Sequence, residues 1–376
     1  MDFYLFTYLL KNKKMADFQL KDKYNTSFFE EFTTHFQSIY PEFPKAKFFE
    51  SLFDEEWEMR ELKQRMRHIT ICLGKVLPKD YRMALEIMKR VGADLGEKFE
   101  YMFFPDFVEV YGLDDYEASV EALQLFTMLC SSEFAVRPFI MKYTKTMMDL
   151  MLEWAKSENH HIRRLASEGC RPRLPWGMSL QEFKKNPAAI LPILEILKDD
   201  ESEYVRRSVA NNLNDISKDH SDLVLNIGES WFGANINRNK LVKHALRTLL
   251  KKGNTRAMLL FGFDNPNEVY FTHLEISLLK IKIGNSATFS FKLKHTKGET
   301  IKLRIEYAVY YMKSNGTQSR KIFQLTENTF ETDKIYAFKR KQHFKNLTTR
   351  KHYVGSHRLA LVVNGVEKVE IKFELI

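Results

Sequence analysis

Glycine and proline are scarce in this chain, 15 and 10 residues of 376, against usual shares of about 7% and 5%. Phosphate-cradling loops need closely spaced glycines so that backbone amides can approach the ligand. The nearest pair, Gly92 and Gly96, is followed by no Lys-Ser/Thr and has no further glycine beside it, which excludes a P-loop or Rossmann nucleotide site. Few breakers also imply regular elements joined by short loops. Metal ligands in a recognisable pattern are lacking too. Cys72, Cys130 and Cys170 stand alone, the 11 histidines contain no His-Glu-x-x-His, and the adjacent His160 and His161 point to different sides of a helix, so neither metal nor cofactor is expected. Three cysteines without a disulfide framework fit a reducing cytosol. A mean hydropathy of -0.37 leaves no room for several membrane spans, and no membrane partner is expected.

What is there is a helical pattern followed by a strand pattern. Residues 2–10, DFYLFTYLL, are apolar but too short to span a bilayer, and their lysines follow rather than precede the run, the reverse of a signal peptide. Residues 1–22 are read as an N-terminal extension, with translation starting at Met15; a membrane-surface or partner-binding helix is the alternative. From 23 to 263 apolar residues recur at three and four, as in Met83, Ala84, Ile87, Met88 and Val91. HHIRRLASEG from 160, EYVRRSVANNL from 203 and KLVKHALRTLL from 240 align with Ile162, Val205 and Val242 in register, at intervals of 43 and 37 residues. This resembles HEAT repeats, helical pairs that bury their faces against their neighbours in a solenoid. The basic pairs at 163–164, 206–207 and 243–244 are either an intramolecular ladder or a track for an anionic polymer.

Beyond Asp264-Asn265-Pro266 the period becomes two: Phe289, Phe291 and Leu293 alternate with Ser290, Lys292 and Lys294, and Ile301, Leu303 and Ile305 with Lys302, Arg304 and Glu306. Asn364-Gly365 is a hairpin signal, and Asn315-Gly316 a second turn. About seven strands in residues 264–376 predict an immunoglobulin-like β-sandwich, without the Cys-Trp-Cys core of antibody domains. The expected fold class is therefore multidomain, all-α repeats and then β. This last part holds 20 Lys+Arg against 11 Asp+Glu, leaving 38 of each sign elsewhere, so it carries the whole net charge of +9. Lys334, Lys339, Arg340, Lys341, Lys345, Arg350 and Lys351 interleave there with Tyr336, Phe338 and Phe344, a mixture that suits nucleic-acid backbone and base contacts; a solvated lysine-rich loop is the alternative.

The most unusual segment is RRLASEGCRPRLPWGMSL, residues 163–180. A repeat helix ends at Glu168-Gly169 and enters a loop stiffened by Pro172 and Pro175, which carries Arg171 and Arg173 and presents Trp176. Such residues are poor core material. The segment closely resembles the signature of the AlkC family of bacterial alkylpurine DNA glycosylases, HEAT-repeat enzymes related to AlkD. The likeness extends from about Met15 through EYVRRSVANNLNDISKDH to the basic tail, as in the subgroup with an appended immunoglobulin-like domain.

The resemblance implies hydrolysis of the N-glycosidic bond of cationic methylated bases such as 3-methyladenine, and in related members 3-methylcytosine, in double-stranded DNA, without extruding the base and without a cofactor. It places Glu168 and Trp176 as the active-site acid and aromatic, with Glu133 and Asp215 as further acidic members. Arg163, Arg164, Arg171, Arg173, Arg206, Arg207, Lys243, Lys339, Arg340 and Lys341 are the expected DNA contacts of a monomeric enzyme. The chemistry is coherent, because a methylated purine leaves as a neutral base and the barrier is that of forming a sugar cation, which a carboxylate stabilises. A non-catalytic helical scaffold with a polyanion-binding sandwich is the competing class.

Overall fold

The computed structural model describes residues 19–264, 266–296, 298, 300–347 and 351–376. The expected start at Met15 and the basic Arg350 lie outside the described residues. Packing divides the chain at Asp219/His220, whereas the change from helix to strand comes later, between Leu260 and Val269.

The first unit is helical: α1 Thr26–Ile39, α2 Lys45–Leu52, α3 Leu62–Val76, α4 Tyr81–Ala93, α5 Phe103–Tyr111, α6 Tyr116–Leu129, α7 Val136–Lys142, α8 Thr144–Trp154, α9 His160–Gly169, α10 Gln181–Lys185, α11 Leu191–Leu197 and α12 Glu203–Ile216. Asparagine and aspartate open several of these helices. Asn25, Asp80, Asp115 and Asn159 each accept a backbone N–H of the first turn, satisfying donors that the helix itself cannot. At the N-terminal end Phe29, Phe32, Phe36, Phe48, Phe103 and Phe104 form a buried aromatic core, with edge-on pairs such as Phe32–Phe103 at 5.3 Å. At the other end α9 lies against α12. Ile162 and Val205, which the repeat places in register, are both buried. Asn212 Nδ2 donates to the Ser167 carbonyl at 2.8 Å, tying the two helices together.

The repeat also assigns its first basic residue. Arg163 donates to the carbonyls of Ser157 and Glu158, six and five residues before it. Arg206 donates in the same register to the carbonyls of Asp200 and Glu201. Each arginine closes the turn that precedes its own helix, where the carbonyls lack helical partners. Arg163 in addition holds Asp200 through Nε at 2.6 Å and Nη2 at 3.0 Å. Of the two readings open to the basic pairs, Arg163 and Arg206 form the intramolecular ladder.

The second unit contains α13 Ser221–Trp231, α14 Ile236–Ala245, α15 Arg247–Lys251 and α16 Thr255–Leu260, followed by strands β1 Val269–Ile276, β2 Lys280–Ile281, β3 Ser286–His295, β4 Ile301–Met312, β5 Gln318–Phe330, β6 Tyr336–His343, β7 Gly355–Val363 and β8 Val366–Leu375. They form two sheets, ordered β1-β3-β6 and β2-β8-β7-β4-β5. Among the described residues all pairs are antiparallel except β2 with β8. Phe289, Phe291 and Leu293 pack inward with Leu303, Ile305, Tyr307, Leu359 and Leu361, as their alternation requires. Asn364 and Gly365 both have positive φ, 47° and 82°, the backbone of a tight hairpin turn. A Cβ on Gly365 would lie 2.0 Å from the Gly253 Cα, so the turn and the end of α15 meet at a point only glycines allow.

The polar residues that alternate in β4 are themselves covered: Arg304 is buried and Glu306 fully so, paired through Arg304 Nε and Glu306 Oε1 at 2.9 Å. The aromatic residues of the basic run are core rather than base-stacking platforms. Phe338 stacks on Phe291 at 5.0 Å, Phe344 is buried and Tyr336 meets Phe330 edge-on. Lys339, Arg340 and Lys341 are exposed on β6, which among the described residues pairs with β3 alone. Charge on an edge strand also discourages sheet-to-sheet aggregation. Lys243, the third repeat's first basic residue, is paired with Glu327 at 2.5 Å.

Candidate active site

The helix α9 ends at Gly169, where a Cβ would come within 2.7 Å of Val136 Cγ1. That close approach brings the last turn, with Glu168, against the segment carrying Glu133. The chain then runs through residues 170–180, closed by Gly177 N–H to the Leu174 carbonyl and Leu180 N–H to the Pro172 carbonyl. Beneath it lies Arg137, completely buried. Its guanidinium donates to the carbonyls of Gly169 (2.7 Å), Arg171 (2.8 Å) and Met178 (2.7 Å), one on the helix end and two on the loop. Burial pulls the Arg137 pKa down to about 10, yet it remains a cation at neutral pH and the loop is built around it.

Three carboxylates and three cations meet on this scaffold. Arg164 Nη1 lies 2.5 Å from Glu133 Oε2 and its Nη2 3.5 Å from Glu168 Oε1. Arg171 Nη1 donates to Glu168 Oε1 at 2.6 Å and its Nε to Asp215 Oδ2 at 2.9 Å. Lys218 Nζ holds the other Asp215 oxygen at 2.9 Å. Ser131 Oγ donates to Glu133 Oε2 and accepts from Arg164, and the Arg164 guanidinium lies 4.8 Å from the Tyr204 ring centre. Glu133, Arg164, Glu168, Arg171 and Asp215 are all buried. Burial alone would raise the Glu168 carboxyl; Arg164 and Arg171, with a hydrogen bond from Ser208, outweigh it and hold the group below the ordinary glutamate range. Glu168 is thus an anion at neutral pH. Burial instead pushes the Tyr204 phenol up to about 12, which leaves it protonated.

Over this cluster opens a cleft of about 270 Å³, lined by Glu133, Glu168 and both site arginines as well as Trp176 and Tyr204. Trp176 is 57% exposed and has φ of 62°, a left-handed backbone that costs a bulky side chain roughly 1–2 kcal/mol. The loop thus spends stability to hold an indole in the open at the cleft mouth. Buried carboxylates at the floor of a cleft, an aromatic rim and flanking guanidiniums are equipped to stabilise a developing cation and to contact a planar cationic group.

Residues 109–247 match the family described as "DNA alkylation repair enzyme", and residues 271–376 the one described as "Uncharacterised protein YhaZ, C-terminal Ig-like domain". The chain is 43% identical over 361 residues to the uncharacterized protein YhaZ of Bacillus subtilis (strain 168), covering 96% of this chain and 100% of that one. Its structure matches that of the Pseudomonas fluorescens alkylpurine DNA glycosylase AlkC bound to DNA containing an abasic site analog, with a TM-score of 0.90, 37% identity and coverage of 95% and 99%. The chain belongs to the AlkC family.

In this AlkC-family chain the four expected site residues do not play equal parts. Glu168, Glu133 and Trp176 line the cleft. Asp215 stands behind Arg171 and is 2% exposed, so it acts on Arg171 rather than at the cleft surface. Of the expected DNA contacts, Arg164 and Arg171 hold carboxylates in the buried cluster and are not displayed for phosphates. Arg173 is partly exposed and forks onto both oxygens of Asp219. Arg207 lines the cleft while paired with Glu203 at 2.9 Å. The second basic residue of each of the first two repeats therefore reaches the cleft, and the first serves the fold.

Sequence reasoning missed Arg137, Tyr204, Ser208 and Asn211. The last three, with Arg207, occupy one stripe of α12 at helical spacing and form a cleft wall. That spacing was visible, but nothing in it says which side of α12 faces α9. Arg137 gave no local signal, because its partners are carbonyls 32 to 41 residues away.

Proposed function

We propose that the chain is a monofunctional DNA glycosylase that removes cationic alkylated bases, 3-methyladenine and 3-methylcytosine among them, from double-stranded DNA and leaves an abasic site. The observation that carries this is Glu168, a carboxylate kept ionised by two arginines at a cleft rimmed by an exposed tryptophan. The N-glycosidic bond breaks with its electron pair going to the base, which departs neutral. Glu168 opposes the charge that develops at C1′, water supplies the oxygen that bonds to C1′, and its proton is lost. Glu133 adds a second negative charge on the same wall. The charged residues described in the cleft lining are carboxylates and guanidiniums, groups that do not form the Schiff base with the sugar that a lyase uses.

The same wall supports a lesion that stays in the stack. Trp176 stands exposed at the mouth of the cleft, where its ring face can meet a cationic base, a contact worth about 0.5–2 kcal/mol. The deciding experiment incubates the protein with methylated duplex DNA and measures free base by chromatography and abasic sites by alkaline cleavage. Binding without release of base would leave the non-catalytic scaffold as the function. A 2-aminopurine placed beside a non-hydrolysable lesion should show no fluorescence rise on binding; a rise would mean the base is extruded.

Two further outcomes follow from the charges. Because the Glu168 pKa is lowered, its charge persists as pH falls through the ordinary carboxylate range. Single-turnover excision should stay flat from neutrality to about pH 4.5 and decline only below it. A midpoint near about pH 6, in protein shown to be folded, would mean another group carries the step. For binding, Lys339, Arg340 and Lys341 are exposed, and replacing all three with alanine should make the log K against log salt dependence shallower by up to about 2.7, or roughly 0.9 per phosphate contact. An unchanged slope would remove β6 from the DNA interface.

A further inference from the structure

Lys63 has no role in the chemistry above, yet it touches the residue at its edge. It lies in the first turn of α3, whose start is set by the Glu61–Gln64 capping box, with Gln64 Oε1 accepting the Glu61 N–H at 2.8 Å. A lysine there opposes the helix dipole, which favours anions at an N-terminus, so the α3 helix gains nothing from it. Its ammonium instead reaches 113 residues along the chain to donate to the Trp176 carbonyl at 2.8 Å. It also lies 4.5 Å from the centre of the Phe134 ring. Phe134 follows Glu133 and lines the same cleft. The carbonyl that Lys63 holds belongs to the residue with the left-handed backbone, a conformation that persists only where its surroundings enforce it.

We propose that Lys63 is a positioning residue for lesion recognition: it straps the Trp176 backbone to the Phe134 wall and thereby sets the direction in which the indole faces the mouth of the cleft. Arg137 holds the loop at Gly169, Arg171 and Met178, on either side of Trp176, and Lys63 holds it at the Trp176 carbonyl. The consequence for catalysis rests on the glycosylase reading above; the structural strap does not.

The test uses Lys63→Met, which keeps the stem and removes the donor, and Lys63→Arg, which restores one. In full-length protein labelled with 5-fluorotryptophan, where Trp176→Phe identifies one of the four tryptophan signals, Lys63→Met should shift or broaden the Trp176 ¹⁹F resonance without moving the other three, and Lys63→Arg should bring it back. Single-turnover excision by Lys63→Met should fall roughly 10- to 100-fold, the scale of a misplaced contact group, while affinity for abasic duplex stays within about twofold. In a Trp176→Ala background the same change should cost almost nothing, since Lys63 acts through Trp176. An unmoved resonance overturns the strap. So does an additive loss in the double variant, or a weaker affinity with a salt slope shallower by about 0.9 and unchanged turnover, which would make Lys63 a phosphate contact. Wild-type protein that releases no base refutes the glycosylase reading, and the resonance still decides the strap.

Discussion

Glu168→Gln should slow single-turnover excision by about 2–4 kcal/mol, roughly 30- to 1,000-fold, and leave affinity for abasic DNA undiminished. The substitution keeps shape and removes charge, and the cluster tolerates it: Arg164 retains Glu133 at 2.5 Å and Arg171 retains Asp215 at 2.9 Å. The loss therefore reads the charge at the reacting sugar rather than collapse of the site. Removing a carboxylate near phosphates can even tighten binding. Trp176→Ala should differ in pattern, lowering both lesion engagement and excision, because it deletes ring contact as well as cation attraction. Near wild-type turnover in Glu168→Gln would pass the role to Glu133, the other carboxylate that lines the cleft.

The largest effect on stability is expected at Arg137. Arg137→Met fills similar space but leaves the carbonyls of Gly169, Arg171 and Met178 without their donor in a fully buried place. Unpaired buried acceptors are costly, and three of them should lower unfolding free energy by about 3–5 kcal/mol. The loss should start locally: residues 170–180 should become the first site of protease cleavage, and excision should fall with the loop's order. Denaturant midpoints and limited proteolysis measure both. A variant within about 1 kcal/mol of wild type would show that the loop holds itself and that its prolines suffice.

Periodicity alone determined the architecture of this protein. Apolar residues at three and four make helices bury one stripe, and alternation makes strands bury one face, whatever their neighbours are; hence the repeat register at Ile162 and Val205 and the sandwich core at Phe289, Phe291 and Leu293 were legible before any packing was known. The segment from Arg163 to Leu180 also declared itself, because two prolines, five charges and a tryptophan around a helix end are not the makings of an apolar core. Charge roles were not legible, since an arginine's partner is fixed by tertiary distance and not by sequence spacing. Arg163 and Arg164 are neighbours in the chain, yet one closes a turn on Asp200 and the other joins Glu133 to Glu168. Only the packing of α9 on α12 and on the Glu133 segment decided that Arg164 and Arg171 serve the carboxylates, that Asp215 stands behind Arg171, and that Glu168 keeps its charge. The aromatic residues of the basic run make the same point: Phe338 on β6 and Phe344 just after it look available between lysines, but both pack into the sandwich while Lys339 and Lys341 stay outside.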